Sequence, residues 1–322
     1  MTETALPTYV EGPANVIKRL PYVGYDATLQ GFLFKADRNL LQHVCDEMLN
    51  TPARGAVRFR AVNSHVFLTA LYQPRVQSDD PIDRTTGYVQ EVDLALWILT
   101  FGGRSDAMSS WTLRWLPVWL FVDTGSAIAA GREVFGYPKH QSWFNRSIST
   151  PPQDATVTVE TLAFVGSGPN EPAQRWPLLS LQPVSEPLAG RNSAGGPSLF
   201  TRALADFRDI ISSHKNTLGI AGELLEKLSL PFANMPMLFL KQFRDIAEPG
   251  RACFQAITTV PVVSRHIADA GFFSTGYKLI IRKAMSHPIE EVLGLVSGQE
   301  SEFGFWLIQD FFVGYGETLW KA

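Results

Sequence analysis

The residue best equipped for chemistry in this chain is Lys139. It follows Pro138 in the run 127–140, and the seven residues ahead of Arg132 (125–131) are uncharged and mostly small or apolar. Proline fixes φ and has no N–H, so it holds the chain at a bend or a strand end. A lysine in apolar surroundings loses part of its preference for the ammonium form. A neutral lysine amine attacks ketones, and the product is a Schiff base. The protonated imine is an electron sink. A β-keto acid held this way can lose CO2 to give an enamine, and the same enamine can instead attack an aldehyde. The lysine alone does not choose between these outcomes. No cofactor is needed for either, because the imine itself accepts the electrons.

The nine residues Gly131-Arg-Glu-Val-Phe-Gly-Tyr-Pro-Lys139 resemble the signature of the acetoacetate decarboxylase-like family. In that family the lysine after Tyr-Pro or Phe-Pro forms the imine. The run 119–130 is similar to the family's approach strand, and Asn234-Met-Pro-Met-Leu-Phe-Leu-Lys241 is similar to a later strand with an Asn followed by Met-Leu-Lys. The likeness covers about 20–146 and 234–260. It implies an α+β, predominantly antiparallel β fold, a β-barrel or cone with peripheral helices, to which the helical stretch 199–230, without a counterpart in the family's core pattern, adds a helical insertion. It also implies a homo-oligomer. The resemblance places Glu91, in Gly87-Tyr-Val-Gln-Glu-Val92, at the family's catalytic glutamate.

Two departures bear on the reaction. The family's arginine falls at Ala27 or nearby, among uncharged residues, and Arg60 stands where decarboxylases tend to carry an acid. Arg58, Arg60 or Arg75 would have to reach the site from elsewhere. The family's second lysine is replaced by His140, a weaker cation at neutral pH. Tyr137 is a candidate to bring its hydroxyl to the cavity, although packing is its simpler role. The expected machinery is therefore Lys139 and Glu91 for catalysis, with His140, Tyr137, Arg60 and Arg75 on substrate. The expected function is decarboxylation of a β-keto or other oxo acid through a lysine imine. The alternatives are aldol, dehydratase or cyclase chemistry on the same imine, and a non-catalytic small-molecule binder. Arg132 and Glu133 read as structural.

The elements that must position these groups are mostly strands. Ala27–Phe34 reads as a strand, and 36–49 as a helix capped by Asp37 or Asn39 with Leu40, Leu41, Val44, Cys45 and Met48 on one face. One or two strands are expected over 56–72 and a polar loop over 74–87. Further strands are expected at 88–101, 111–122, 126–134 and 156–164. Residues 183–198 are linker-like, and 199–230 carry helical periodicity. The chain reads as one domain over 1–322, with 1–20 an N-terminal arm and 183–230 a linker plus helical insertion. Tandem strands with few helices predict an antiparallel sheet closed or nearly closed around the lysine.

Composition limits the partners. The chain has 322 residues, 45% hydrophobic and 18% charged, with net charge −3. That is ordinary for a globular protein and lacks the basic footprint of a nucleic-acid binder. The six histidines show no ligand spacing, so no metal is expected. No dinucleotide or phosphate-cradling fingerprint and no Gly-x-Ser-x-Gly elbow occurs. Cys45 and Cys253 are the only cysteines, which points to reduced thiols in a cytoplasmic protein. No signal peptide or membrane-spanning run is expected. The expected partner is a small oxo acid, with no nucleic acid and no membrane.

Overall fold

The computed structural model describes residues 6–146, 156–187, 235–273 and 275–322. The expected helical stretch 199–230, and the linker beyond residue 187, lie outside the described residues. β1 (Tyr22–Lys35) leads into α1 (Arg38–Cys45). Asp37 caps α1 by accepting from the Asn39 and Leu40 N–H groups, as its type and place require. Leu41, Val44 and Cys45 form the buried face. Burial, with Asp46 second, pushes the Cys45 thiol up to about 12, so it packs as a small hydrophobe.

β2 (Val57–Ser78), β3 (Val89–Arg104) and β4 (Thr112–Val122) follow as antiparallel neighbours. β2 is one strand, irregular between Ala61 and Val66, and it runs into the stretch expected to be loop. The strand expected at 126–134 is a correction. The chain there forms α2 (Gly125–Ala130) and a wide π turn over Gly131–Phe135. Ala127, Ala129 and Ala130 are strong helix formers, and the run is poor in the branched and aromatic residues that suit a pleated surface.

β5 (Lys139–Arg146), β6 (Val157–Ala163) and β7 (Gln174–Pro187) come next. β8 (Met237–Arg244), β9 (Ala252–Val260), β10 (Val262–Phe272) and β11 (Thr275–Ile281) precede the short α3 (Ile289–Leu293). β12 (Phe303–Val313) and β13 (Glu317–Lys321) complete the chain.

The strands join in the order β10-β12-β1-β2-β3-β4-β5-β6-β7-β11, with β8 beside β4, β9 beside β8 and β13 beside β9. The pairing is mainly antiparallel, but β4–β5 and β4–β8 are parallel. Among the described residues the end strands β10 and β11 do not pair, so hydrogen bonding does not close the sheet into a barrel. β3 is buried on both faces. Leu94, Leu96 and Ile98 enter one apolar cluster, whereas Ala95, Trp97 and Leu99 enter another. Such two-sided burial explains its nearly continuous apolar sequence. Among the described residues no helix is long and apolar enough to cross a membrane.

Candidate active site

The π turn and the Gly-Tyr-Pro step aim Lys139. Gly131 O accepts from both Gly136 N and Tyr137 N at 3.0 Å. Gly136 stands at φ 97°, a left-handed conformation suited to glycine. A Cβ there would lie 2.6 Å from the Lys241 Cα. Pro138 has no N–H to place, and Lys139 opens β5 beside Leu120 of β4. Gly131 is needed for space. A Cβ on it would lie 2.7 Å from Lys139 Cδ.

Lys139 Nζ donates to Glu91 Oε1 at 2.7 Å, and the two side chains are only 10% and 7% exposed. Side chains alternate along a strand, so Glu91, Asp93 and Trp97 share one face of β3. All three line a cavity of about 290 Å³ together with Lys139. Across β2, Gln73 pairs with Glu91 and donates from Nε2 to Asp93 Oδ2 at 3.1 Å. Thr69 accepts from Trp97 Nε1 at 2.8 Å. Burial raises the Asp93 carboxyl well above the usual range, and the Glu91 charge adds to this, while Lys139 and the Gln73 hydrogen bond pull the other way. Asp93 therefore keeps its proton to higher pH than an ordinary carboxyl.

The cavity walls are largely apolar and aromatic, with Phe67, Trp97, Trp115 and Phe311 among them. Tyr137 also lines the cavity, and Lys139 Nζ lies 5.4 Å from its ring centroid. Its hydroxyl donates to Met237 Sδ. Burial, then Asp93 and Glu91, pushes the phenol upward, so it stays protonated.

His140, Arg60 and Arg75 are not on the cavity wall. His140 follows Lys139 on β5 and therefore points to the opposite face. Its ring lies 5.8 Å from that of Phe121 and 5.2 Å from that of His287. Burial, with His287 and Arg132 adding, lowers it to about 4. Arg60 lies over the Phe101 ring at 5.3 Å, far along β2 from Gln73. Arg75 stacks on Tyr25 at 5.1 Å and Tyr88 at 5.5 Å, and bonds Gln77 at 2.9 Å. Tyr88 and Gln77 are themselves wall residues, so Arg75 stands behind the wall. Arg132 reaches the Lys139 carbonyl and Glu133 accepts from Tyr9, structural contacts of the kind expected.

Sequence reasoning did not single out Asp93, Gln73, Gln309 or Lys18, all of which line the cavity. Asp93 had a signal, its position two residues beyond Glu91 on a strand. The others come from distant segments and had none. Among the described residues no three side chains gather as a metal site.

No sequence-family model matches the chain, and no curated protein sequence matches it. Solved structures do. Acetoacetate decarboxylase from Legionella pneumophila superposes with a TM-score of 0.59 at 13% identity, over 100% of this chain and 94% of that one. An acetoacetate decarboxylase-like enzyme from Sphingomonas wittichii gives 0.58 at 12% identity, over 99% and 100%. The enduracididine biosynthesis enzyme MppR, complexed with pyruvate, gives 0.56 at 10% identity, over 96% and 94%. The fold of this chain is the one shared by acetoacetate decarboxylase and its structural relatives.

Proposed function

We propose that this protein is a Schiff-base-forming lyase acting on an oxo acid, with Lys139 as the nucleophile. The observation that carries this reading is the Lys139–Glu91 contact of 2.7 Å, sequestered in an apolar cavity. Glu91 takes a proton from the lysine nitrogen, and the freed amine attacks the substrate carbonyl carbon. The carbonyl oxygen leaves as water after protonation, for which Asp93 is the proposed donor, and a protonated imine remains. In a β-keto acid the bond to the carboxylate then breaks. Its electron pair moves onto the imine nitrogen through an enamine, and CO2 departs. The enamine carbon takes a proton, and water hydrolyses the imine to release the ketone and the lysine.

Lys18 lines the cavity and is the proposed contact of the substrate carboxylate. Arg75, held behind the wall on Tyr25 and Tyr88, is proposed to add positive potential there without touching it. Tyr137 is proposed to bound the pocket beside the imine. The cone-like curl expected of the sheet belongs to this reading and is supported by β12 and β5 sharing one cavity. So do a cytoplasmic setting and assembly as a homo-oligomer, which sedimentation would test.

A second reading keeps the imine and changes its fate to aldol condensation or dehydration. No arginine lines the cavity among the described residues, while two acids, Glu91 and Asp93, do. One MppR structure holds the condensation product of pyruvate and imidazole 4-carboxaldehyde. The assay that separates the readings supplies acetoacetate, or pyruvate with an aldehyde. CO2 release from acetoacetate supports decarboxylation. Aldehyde consumption without CO2 supports condensation. Neither product, with no adduct on the lysine, leaves a binding protein.

A further inference from the structure

The cavity has two ends of different chemistry, and β2 runs between them. Alternate residues of a strand share a face, and Phe67, Thr69, Leu71 and Gln73 all line the cavity. Gln73 pairs with Glu91 and Leu71 with Asp93, so these two rows mark the reacting centre. Outward of them β2 offers Gln77 and Ser78. The Ser78 hydroxyl donates to the Arg19 carbonyl at 2.6 Å, which brings Lys18 to the same end. Inward of them come Thr69 and Phe67 on β2 and Trp97 on β3. The Thr69 hydroxyl accepts from Trp97 Nε1, so the two polar groups of the inward end are spent on each other.

Register completes that end. Leu29 of β1 pairs with Leu71, and the Phe67 ring lies 5.1 Å from that of Trp115. Met237 of β8 pairs with Trp115. Leu29, Leu71 and Met237 line the cavity and are only half-buried, although each belongs to a strand inside the sheet. Covering such apolar surface with a ligand is favourable in proportion to its area. Size sets the scale. A dry cavity of about 150 Å³ takes benzene, so the volume of about 290 Å³ here takes roughly a dozen non-hydrogen atoms. A carbonyl, its α-carbon and a carboxylate use about half of them, which leaves room for about six carbons.

We infer that the substrate is an oxo acid whose carbonyl carries a hydrocarbon group of about six carbons, which lies inward against Leu29, Leu71 and Met237 while the carboxylate lies outward toward Lys18. The inference rests on the imine chemistry proposed above and adds the size, polarity and direction of the substrate's second arm. Acetoacetate, with a lone methyl in that place, leaves the inward end unfilled.

The test uses methyl ketones from acetone to the decyl compound. Each is trapped with borohydride, and the half-saturating concentration is read from the modified Lys139 peptide. Each added CH2 is expected to lower that concentration about threefold, until the chain reaches about six carbons and the fall stops. Leu29→Phe puts a ring into the inward end and should shrink the acetone-to-hexyl ratio at least about tenfold. Val76→Phe puts a ring on the outward wall and should leave the ratio unchanged. A concentration that does not fall with length, or that falls through the longest ketone, overturns the inference and leaves the imine reading standing. So does a ratio kept in Leu29→Phe or lost equally in Val76→Phe. The wild-type series decides even where a variant fails to fold. Absence of any adduct on Lys139, with acetone as well as with the longer ketones, overturns both together.

Discussion

Asp93 lies two residues beyond Glu91 on β3, and both carboxyls face Lys139's cavity, with Gln73 bonded to the farther one. Burial is the main reason that Asp93 binds its proton more tightly in the folded chain, followed by the Glu91 charge. A carboxyl with a raised folded pKa contributes most at low pH. Its contribution is lost as pH rises from the ordinary carboxyl range, about 3.9, toward the folded value. Asp93→Asn should therefore be more stable than wild type at neutral pH, and the gain should vanish near pH 4. Urea midpoints across that range check it. An Asp93→Asn gain independent of pH would contradict the assignment.

Gly131 leaves room for the Lys139 side chain. The Cβ of an alanine there would stand 2.7 Å from Cδ and 2.9 Å from Cε, so the flexible lysine must give way. Gly131→Ala should slow imine trapping on the order of a hundredfold, the scale associated with misplacing a reacting group by about 1 Å. Its melting temperature should change little, because a side chain moves and not the backbone. Trapping rate and calorimetry on one preparation check this.

His140 gives a second pH signature of opposite sign. Burial, then His287 and Arg132, lowers it to about 4 from the ordinary 6.5. A depressed folded pKa means stability that is present above about 6.5 and lost as pH falls toward about 4. His140→Phe, which keeps a ring against Phe121, should lose less stability than wild type over that interval. Parallel acid and wild-type slopes in the two proteins would show that His140 is not buried as described.

The sequence reached the lysine because its surroundings are local: Gly136, Pro138 and the small residues of 125–131 are all near neighbours in the chain. Glu91 was reached through the family resemblance and not through local pattern; the structure brings it to 2.7 Å from Lys139 Nζ. The place of His140 was not legible, because it is seen to face away from Lys139 only once both are known to open the strand β5. The strand expected over 126–134 failed because its alanines suit a helix and nothing at short range opposes one. Arg60 and Arg75 are held by Phe101, Tyr25 and Tyr88, contacts that depend on sheet register. Gln309 joins the cavity through three strand pairings and is invisible to any local pattern.

Borohydride reduction in the presence of acetoacetate or pyruvate, followed by peptide mapping, tests the central claim most directly. The expected result is one adduct, on Lys139, abolished in Lys139→Met and formed at least about a hundredfold more slowly in Glu91→Gln, the usual scale for losing a positioned proton acceptor. An adduct confined to another lysine such as Lys18 or Lys241, or none with any oxo acid, would contradict it.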